Sequence, residues 1–170
     1  MAISIFNIDN FNSSIGYNIH NVVKNEGKFY YALRIVPPGS SINDISLWGG
    51  LTIFNGITKP RFLWNTSYNS PANQNPRIKS IQFSDGYEQR FPDGINNNLL
   101  QLELSFETRT YDEAFAILHF FHAREGAESF VYKAHPPYSV DKLYICREWT
   151  HTESFRDNHS IKARFLERGN

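Results

Sequence analysis

The chain has 170 residues, room for one ordinary domain or two small ones, and enough surface to bury for folding without staples. Lysine plus arginine balance aspartate plus glutamate at 17 each, which leaves no basic surplus to neutralise phosphates and argues against nucleic-acid binding. Aromatics make up 15% of the chain, with 14 Phe, 9 Tyr and one Met against 20% charged residues, a balance that favours pleated half-buried surfaces and predicts a mainly β protein.

The lone Cys146 excludes an intramolecular disulfide and supplies too few thiolates for a structural zinc site, so we expect a half-buried thiol on a strand. Met1 to Ile8 lacks the basic and long apolar regions of a signal peptide, and no run of about 18 apolar residues occurs. The expectation is a protein without a membrane anchor, made and folded in a cytoplasm.

In chain order, Ile3 to Leu51 is rich in Asn, Ser and Gly, with a strand pattern at Lys28 to Val36 and turn chemistry at Pro37-Pro38-Gly39. It reads as a small β-module over residues 1–56, followed by a second domain over 57–170. Trp64 to Pro76 is polar, broken by Pro71 and Pro76, and reads as a linker or long loop. Asp85-Gly86 has hairpin-turn chemistry, repeated at Asp93-Gly94, which predicts a short excursion from the sheet with Tyr87 and Arg90 available for contacts.

Leu100, Leu102, Leu104 and Phe106 alternate with Gln101, Glu103, Ser105 and Glu107, as a strand with one buried and one wet face requires. Thr110 to Glu113 has the form of a capping box and should start a helix of about three turns, with Phe115, Leu118 and Phe121 inward beside Ala114 and Ile117, and Gly126 as a left-handed stop. Strands are expected at Ser129 to Ala134, Lys142 to Trp149 and Ser160 to Glu167, closing a β-sandwich or barrel against the single helix.

Sites of chemistry are sparse. His119 and His122 stand at i, i+3 without a third ligand and read as the wet edges of the helical stripe. Asp112 and Glu113 suit the positive end of the helix better than acid–base work. No nucleophile elbow, phosphate loop or Cys/His pairing is present, so no catalytic residue, cofactor or metal is assigned and a non-enzymatic protein is expected.

Ile81-Gln82-Phe83-Ser84-Asp85-Gly86-Tyr87-Glu88-Gln89-Arg90, continuing to Gly94-Ile95-Asn96-Asn97, resembles the opening motif of the minor tail protein M family of lambda-like siphophages, F-x-D-G-Y-x-Q-R followed by G-[IL]-N. The resemblance extends with fitting spacing from Thr58 to Asn170. It implies a tail-tube-like β-sandwich with one helix, a hexameric ring between tail tube and tip complex, and tube and tip proteins as partners. Asp85, Gly86, Tyr87, Gln89 and Arg90 are then motif positions, structural or in subunit contact.

The N-terminal third departs from that family. Tyr17, Val22, Gly27 to Ala32, Pro38-Gly39 and Trp48 resemble the small chitin- and cellulose-binding modules appended to chitinases. Aromatic faces suit sugar rings, so Tyr30, Tyr31 and Trp48 are candidates for polysaccharide contact, with a protein contact or pure core as the competing roles. Two functions follow: a structural subunit of the tail tip with a projecting N-terminal module, or a carbohydrate-binding protein that targets a host glycan.

Overall fold

Strands β1 (Val22–Asn25) and β2 (Lys28–Ala32) form a hairpin closed by Glu26 and Gly27, both with positive φ, the turn geometry that matches strand twist. A short β3 (Trp48–Gly49) pairs with β2 to complete a three-stranded sheet. β4 (Leu51–Phe54) and β5 (Ile57–Pro60) form a second hairpin through Asn55-Gly56, again with both φ positive. The computed structural model describes residues 7–169, so the first residues of the expected N-terminal module, and Asn170 of the second domain, lie outside the described part.

The largest sheet is five-stranded, built from β6 (Ala72–Gln74), β9 (Leu100–Arg109), β10 (Phe130–Lys133), β11 (Asp141–Phe155) and β12 (Asn158–Glu167) in the order β10-β11-β12-β9-β6, with every pairing antiparallel. A further ribbon, β7 (Ile78–Gln82) with β8 (Glu88–Pro92), forms its own two-stranded sheet. The fold is therefore mainly β with one helix, α1 (Tyr111–His122), as composition and pattern predict.

Alternation places the core. Leu100, Leu102, Leu104 and Phe106 of β9 face Ile161, Ala163 and Phe165 of β12 in one buried layer, while Glu103, Lys162 and Arg164 face outward. A bulge in β11 between Cys146 and Glu148 inserts Arg147 and shifts the parity, so Cys146 and then Trp149 both point towards α1. Trp149 lies against Phe121 at 5.6 Å and His122 at 5.3 Å between ring centroids.

Phe62 is the hub of the aromatic core. Its ring meets Trp64, Phe106, Phe120, Phe121, Phe130, Tyr132 and Phe165, all within 6.1 Å. The Phe62 amide also donates to the carbonyl of Val131 in β10, which covers that edge of the sheet.

β2 is shared between two cores. Tyr30 and Ala32 pack with Tyr17, Val36, Ile42 and Trp48 in a small N-terminal cluster, whereas Phe29 and Tyr31 point the other way, against α1. The Tyr31 ring stands edge-on to Trp64 at 5.0 Å, and its hydroxyl lies 3.3 Å from Nδ1 of the buried His119. Period 2 in four consecutive residues thus joins the N-terminal third to the main core.

Several expectations need correction. Trp64 to Pro76 is a loop over residues 65–71 but not a linker: Trp64 is buried, the Ser67 amide donates to the Ser105 carbonyl, and Ala72–Gln74 forms the edge strand β6. The predicted strand at Lys28 to Val36 ends at Ala32. The capping box does not form, because the Thr110 hydroxyl makes no cap bond and Glu113 pairs instead with Arg109 at 2.7 Å. The helix has its expected length but stops at His122, short of Gly126, and its inward face is set by Ala116, Ile117, His119, Phe120 and Phe121, leaving Phe115 and Leu118 half-buried. His119 is therefore core and not a wet edge, and Cys146 is buried outright.

Candidate functional site

The Asp85 motif forms the tip of the β7–β8 ribbon. Gly86 has φ +83°, the left-handed conformation that a tight turn needs and glycine supplies without strain. The Phe83 amide donates to the Tyr87 carbonyl at 2.8 Å, the Gly86 amide to the Phe83 carbonyl at 3.1 Å, and the Tyr87 amide to Asp85 Oδ1 at 3.2 Å. Arg90 binds Glu88 at 2.7 Å, a hydrogen bond that holds the Glu88 carboxyl below the usual carboxylate range. Gln89 lies opposite Ile81, exposed.

Around this frame the ribbon is apolar and wet on both faces. Tyr87 is 63% exposed, Ile78 59%, and Ile81 and Phe83 47% each. Ile78 and Ile81 are three residues apart on one strand and so point to opposite faces. A two-stranded ribbon is marginal by itself, and this one exposes apolar side chains on both its sides.

A second surface runs along α1. Tyr111, Phe115, Leu118, Trp149, His151 and His159 line a groove of about 430 Å3 between α1 and the β11–β12 hairpin, with His122 on the same wall. His151 Nε2 and His159 Nδ1 are 3.0 Å apart with the rings stacked. The β11–β12 register brings these two histidines together, and the sequence reading did not find them. Their nearest signal was the long hairpin itself, whose register sets His151 opposite Ile161 and His159 opposite Glu153 and so makes the two histidines diagonal neighbours.

The aromatic candidates of the N-terminal third are not sugar platforms as placed. Trp48 is buried edge-on against Phe11 and Tyr17, and Tyr31 is buried in the main core, so neither offers a ring face. Tyr30 is half-buried on the small cluster. What this third does expose is aliphatic: Ile35 at 71%, Ile45 at 87% and Ile53 at 75%. Among the described residues no group of three or more His, Cys, Asp or Glu is placed to hold a metal, and no helix is long and apolar enough to cross a membrane.

The sequence pattern of the phage minor tail protein family matches residues 60–168, well over half of the chain. The chain belongs to the phage minor tail protein family. It is also 28% identical over 90 residues to the tail tip protein M of Escherichia phage lambda, an alignment covering 52% of this chain and 80% of that protein. The minor tail protein match takes in the ribbon, the five-stranded sheet and α1, and leaves outside it β1 to β4 and all of β5 but Pro60. A minor tail protein is a structural component of a phage tail and interacts with other tail components.

Proposed function

We propose that this minor tail protein forms a closed ring of six copies at the junction between tail tube and tip complex. The apolar ribbon at the family motif is the observation that supports the reading, since an isolated ribbon wet on both faces gains stability only when a neighbour covers it. Heterologous contacts between identical copies generate a ring where the rotation closes.

The N-terminal third serves as an added contact surface for neighbouring tail proteins. Its exposed Ile35, Ile45 and Ile53 suit protein packing better than sugar stacking, which needs flat ring faces. A carbohydrate-binding role would rest on Tyr30 alone of the three aromatics first considered.

Antibody raised against the full chain, gold-labelled and applied to intact particles, tests the placement. Label at the distal end of the tail agrees with the proposal. Particles that carry no label, with the protein abundant in infected cells, would remove it from the virion.

A further inference from the structure

The register of the β7–β8 ribbon decides which of its backbone groups are already used. The Asp93 amide donates to the Arg77 carbonyl and the Phe83 amide to the Tyr87 carbonyl. Bonded and non-bonded pairs alternate along an antiparallel ladder, so Lys79 with Phe91 and Ile81 with Gln89, which lie between those two, are bonded pairs as well. The amides and carbonyls of Ile78, Ser80 and Gln82 therefore turn outward from β7, and those of Glu88 and Arg90 turn outward from β8. Among the described residues, no further strand joins this two-stranded sheet. Pro92 removes one donor from the β8 edge, whereas β7 has neither a proline nor a bulge to blunt it.

Side chains sort by the same parity. Lys79, Ile81, Phe83, Tyr87, Gln89 and Phe91 share one face, where the Phe83 and Tyr87 rings lie 5.8 Å apart and Lys79 reaches Asp93 at 3.0 Å. Ser80, Gln82, Glu88 and Arg90 share the other, with the Glu88–Arg90 ion pair at 2.7 Å. One face is thus largely apolar, and the other is polar apart from Ile78 and Pro92 at its base.

Each copy carries one open β7 edge and one open β8 edge, the two unlike halves that a ring contact needs. The edges match when β7 of one copy lies antiparallel to β8 of the next, staggered by two residues from the register inside the ribbon. Lys79 then stands opposite the partner's Asp93, and Ile81 stands opposite the partner's Phe91, a cation against an anion and an apolar side chain against another. Lys79 thereby lies between its own Asp93 and the partner's, so charges alternate round the ring. Without the stagger, Lys79 would face the apolar Phe91 and Ile81 the polar Gln89. At the staggered register Gln82 exchanges both backbone bonds with the partner's Arg90, and the Ser80 amide donates to the carbonyl of the partner's Pro92, the bonding group that proline keeps.

We propose that the outer edge of β7 pairs with the outer edge of β8 in a second copy of this chain, joining the ribbons of successive copies into one antiparallel sheet. The proposal rests on the ring reading above and names the contact that holds neighbouring copies together. In a closed ring every ribbon edge then has a partner.

The test uses particles assembled from a mixture of two full-length variants, Ile81→Cys and Phe91→Cys, and then oxidised. Residues directly opposite across an antiparallel pair have Cα atoms about 4.5–5.5 Å apart, within the span of a disulfide. Each variant has one introduced thiol, and native Cys146 is buried, so a bond between positions 81 and 91 joins two copies. A covalent dimer from the mixture, absent from particles of either variant alone, is the expected result. Adding Gln82→Pro to the Ile81→Cys chain is expected to cut the dimer at least tenfold per chain incorporated, because proline removes an outward amide without touching a bond inside the ribbon. Gln82→Ala keeps that amide and should leave the yield within about twofold. A dimer undiminished by Gln82→Pro would overturn the pairing, and so would a dimer formed by the Ile81→Cys variant alone.

The number of copies per particle separates the two ways of failing. Several copies in each particle with no dimer from the mixture would overturn this contact and leave the ring standing on another. A single copy in each particle would overturn the contact and the ring together.

Discussion

The Asp157 carboxylate accepts a hydrogen bond from the backbone amide of Tyr111 at 2.6 Å, so the turn of the β11–β12 hairpin caps the first turn of α1 from 46 residues away. This long-range cap does the work expected of Thr110, whose hydroxyl makes no cap bond. It also ties together the two elements that wall the histidine groove. Asp157→Ala should lower stability by about 1 kcal/mol, with Asp157→Asn retaining most of it. Urea denaturation at constant m-value reads the loss, and unchanged midpoints for both variants would show that the bond contributes nothing.

His119 makes stability depend on pH. Burial, reinforced by the charges of Arg124 and His122, pushes its imidazole down to about 4, against an ordinary value near 6.5. The native state therefore favours the neutral ring, and the unfolded chain takes up the proton first. Stability is fully present above pH 6.5 and falls as pH drops towards 4, by an amount on the order of 2 kcal/mol. His119→Phe should flatten that slope, and an unchanged slope would assign it to other groups.

Phe62 should be the costliest single truncation in the core. Its ring stacks on Phe121 at 5.6 Å and meets Phe165 edge-on at 5.2 Å, in a cluster closed to solvent. Phe62→Ala is expected to cost about 3–5 kcal/mol, whereas Phe83→Ala on the exposed ribbon should cost the isolated chain under about 1 kcal/mol. Thermal or urea unfolding of the two variants side by side checks the contrast.

Cys146 should be inert while the chain is folded. Burial pushes its thiol up to about 12, so almost no thiolate is available at neutral pH. Alkylation with iodoacetamide is expected to be slow in buffer and rapid in denaturant. Equal rates in the two conditions would show that β11 opens readily.

The strands β9 and β12 were legible because each has one buried and one wet face, and alternation reports that directly. The Asp85-Gly86 turn was legible for a similarly local reason, since the backbone there needs glycine. The inward face of α1 was not. Residues 114–121 are mostly apolar, and Phe29 and Tyr31 cover a side of the helix that a sequence pattern would leave to solvent.

β6 was hidden because an edge strand pairs through its backbone, which Ala72-Asn73-Gln74 supplies without any apolar signature. Tyr31 and Trp48 looked like a binding surface because aromatic residues suit sugars and cores alike, and only the placement of β2 between two clusters separates the uses. The groove depends on the register of β11 against β12, including its bulges, which no local pattern encodes.

The most direct test of the ring is a cryo-electron microscopy reconstruction of the tail tip from particles carrying this protein. The account predicts six copies in a closed ring at the junction of tube and tip, each sending its β7–β8 ribbon onto the next copy. A single copy at the junction, or a ring in which the ribbon stays exposed to solvent, would contradict it.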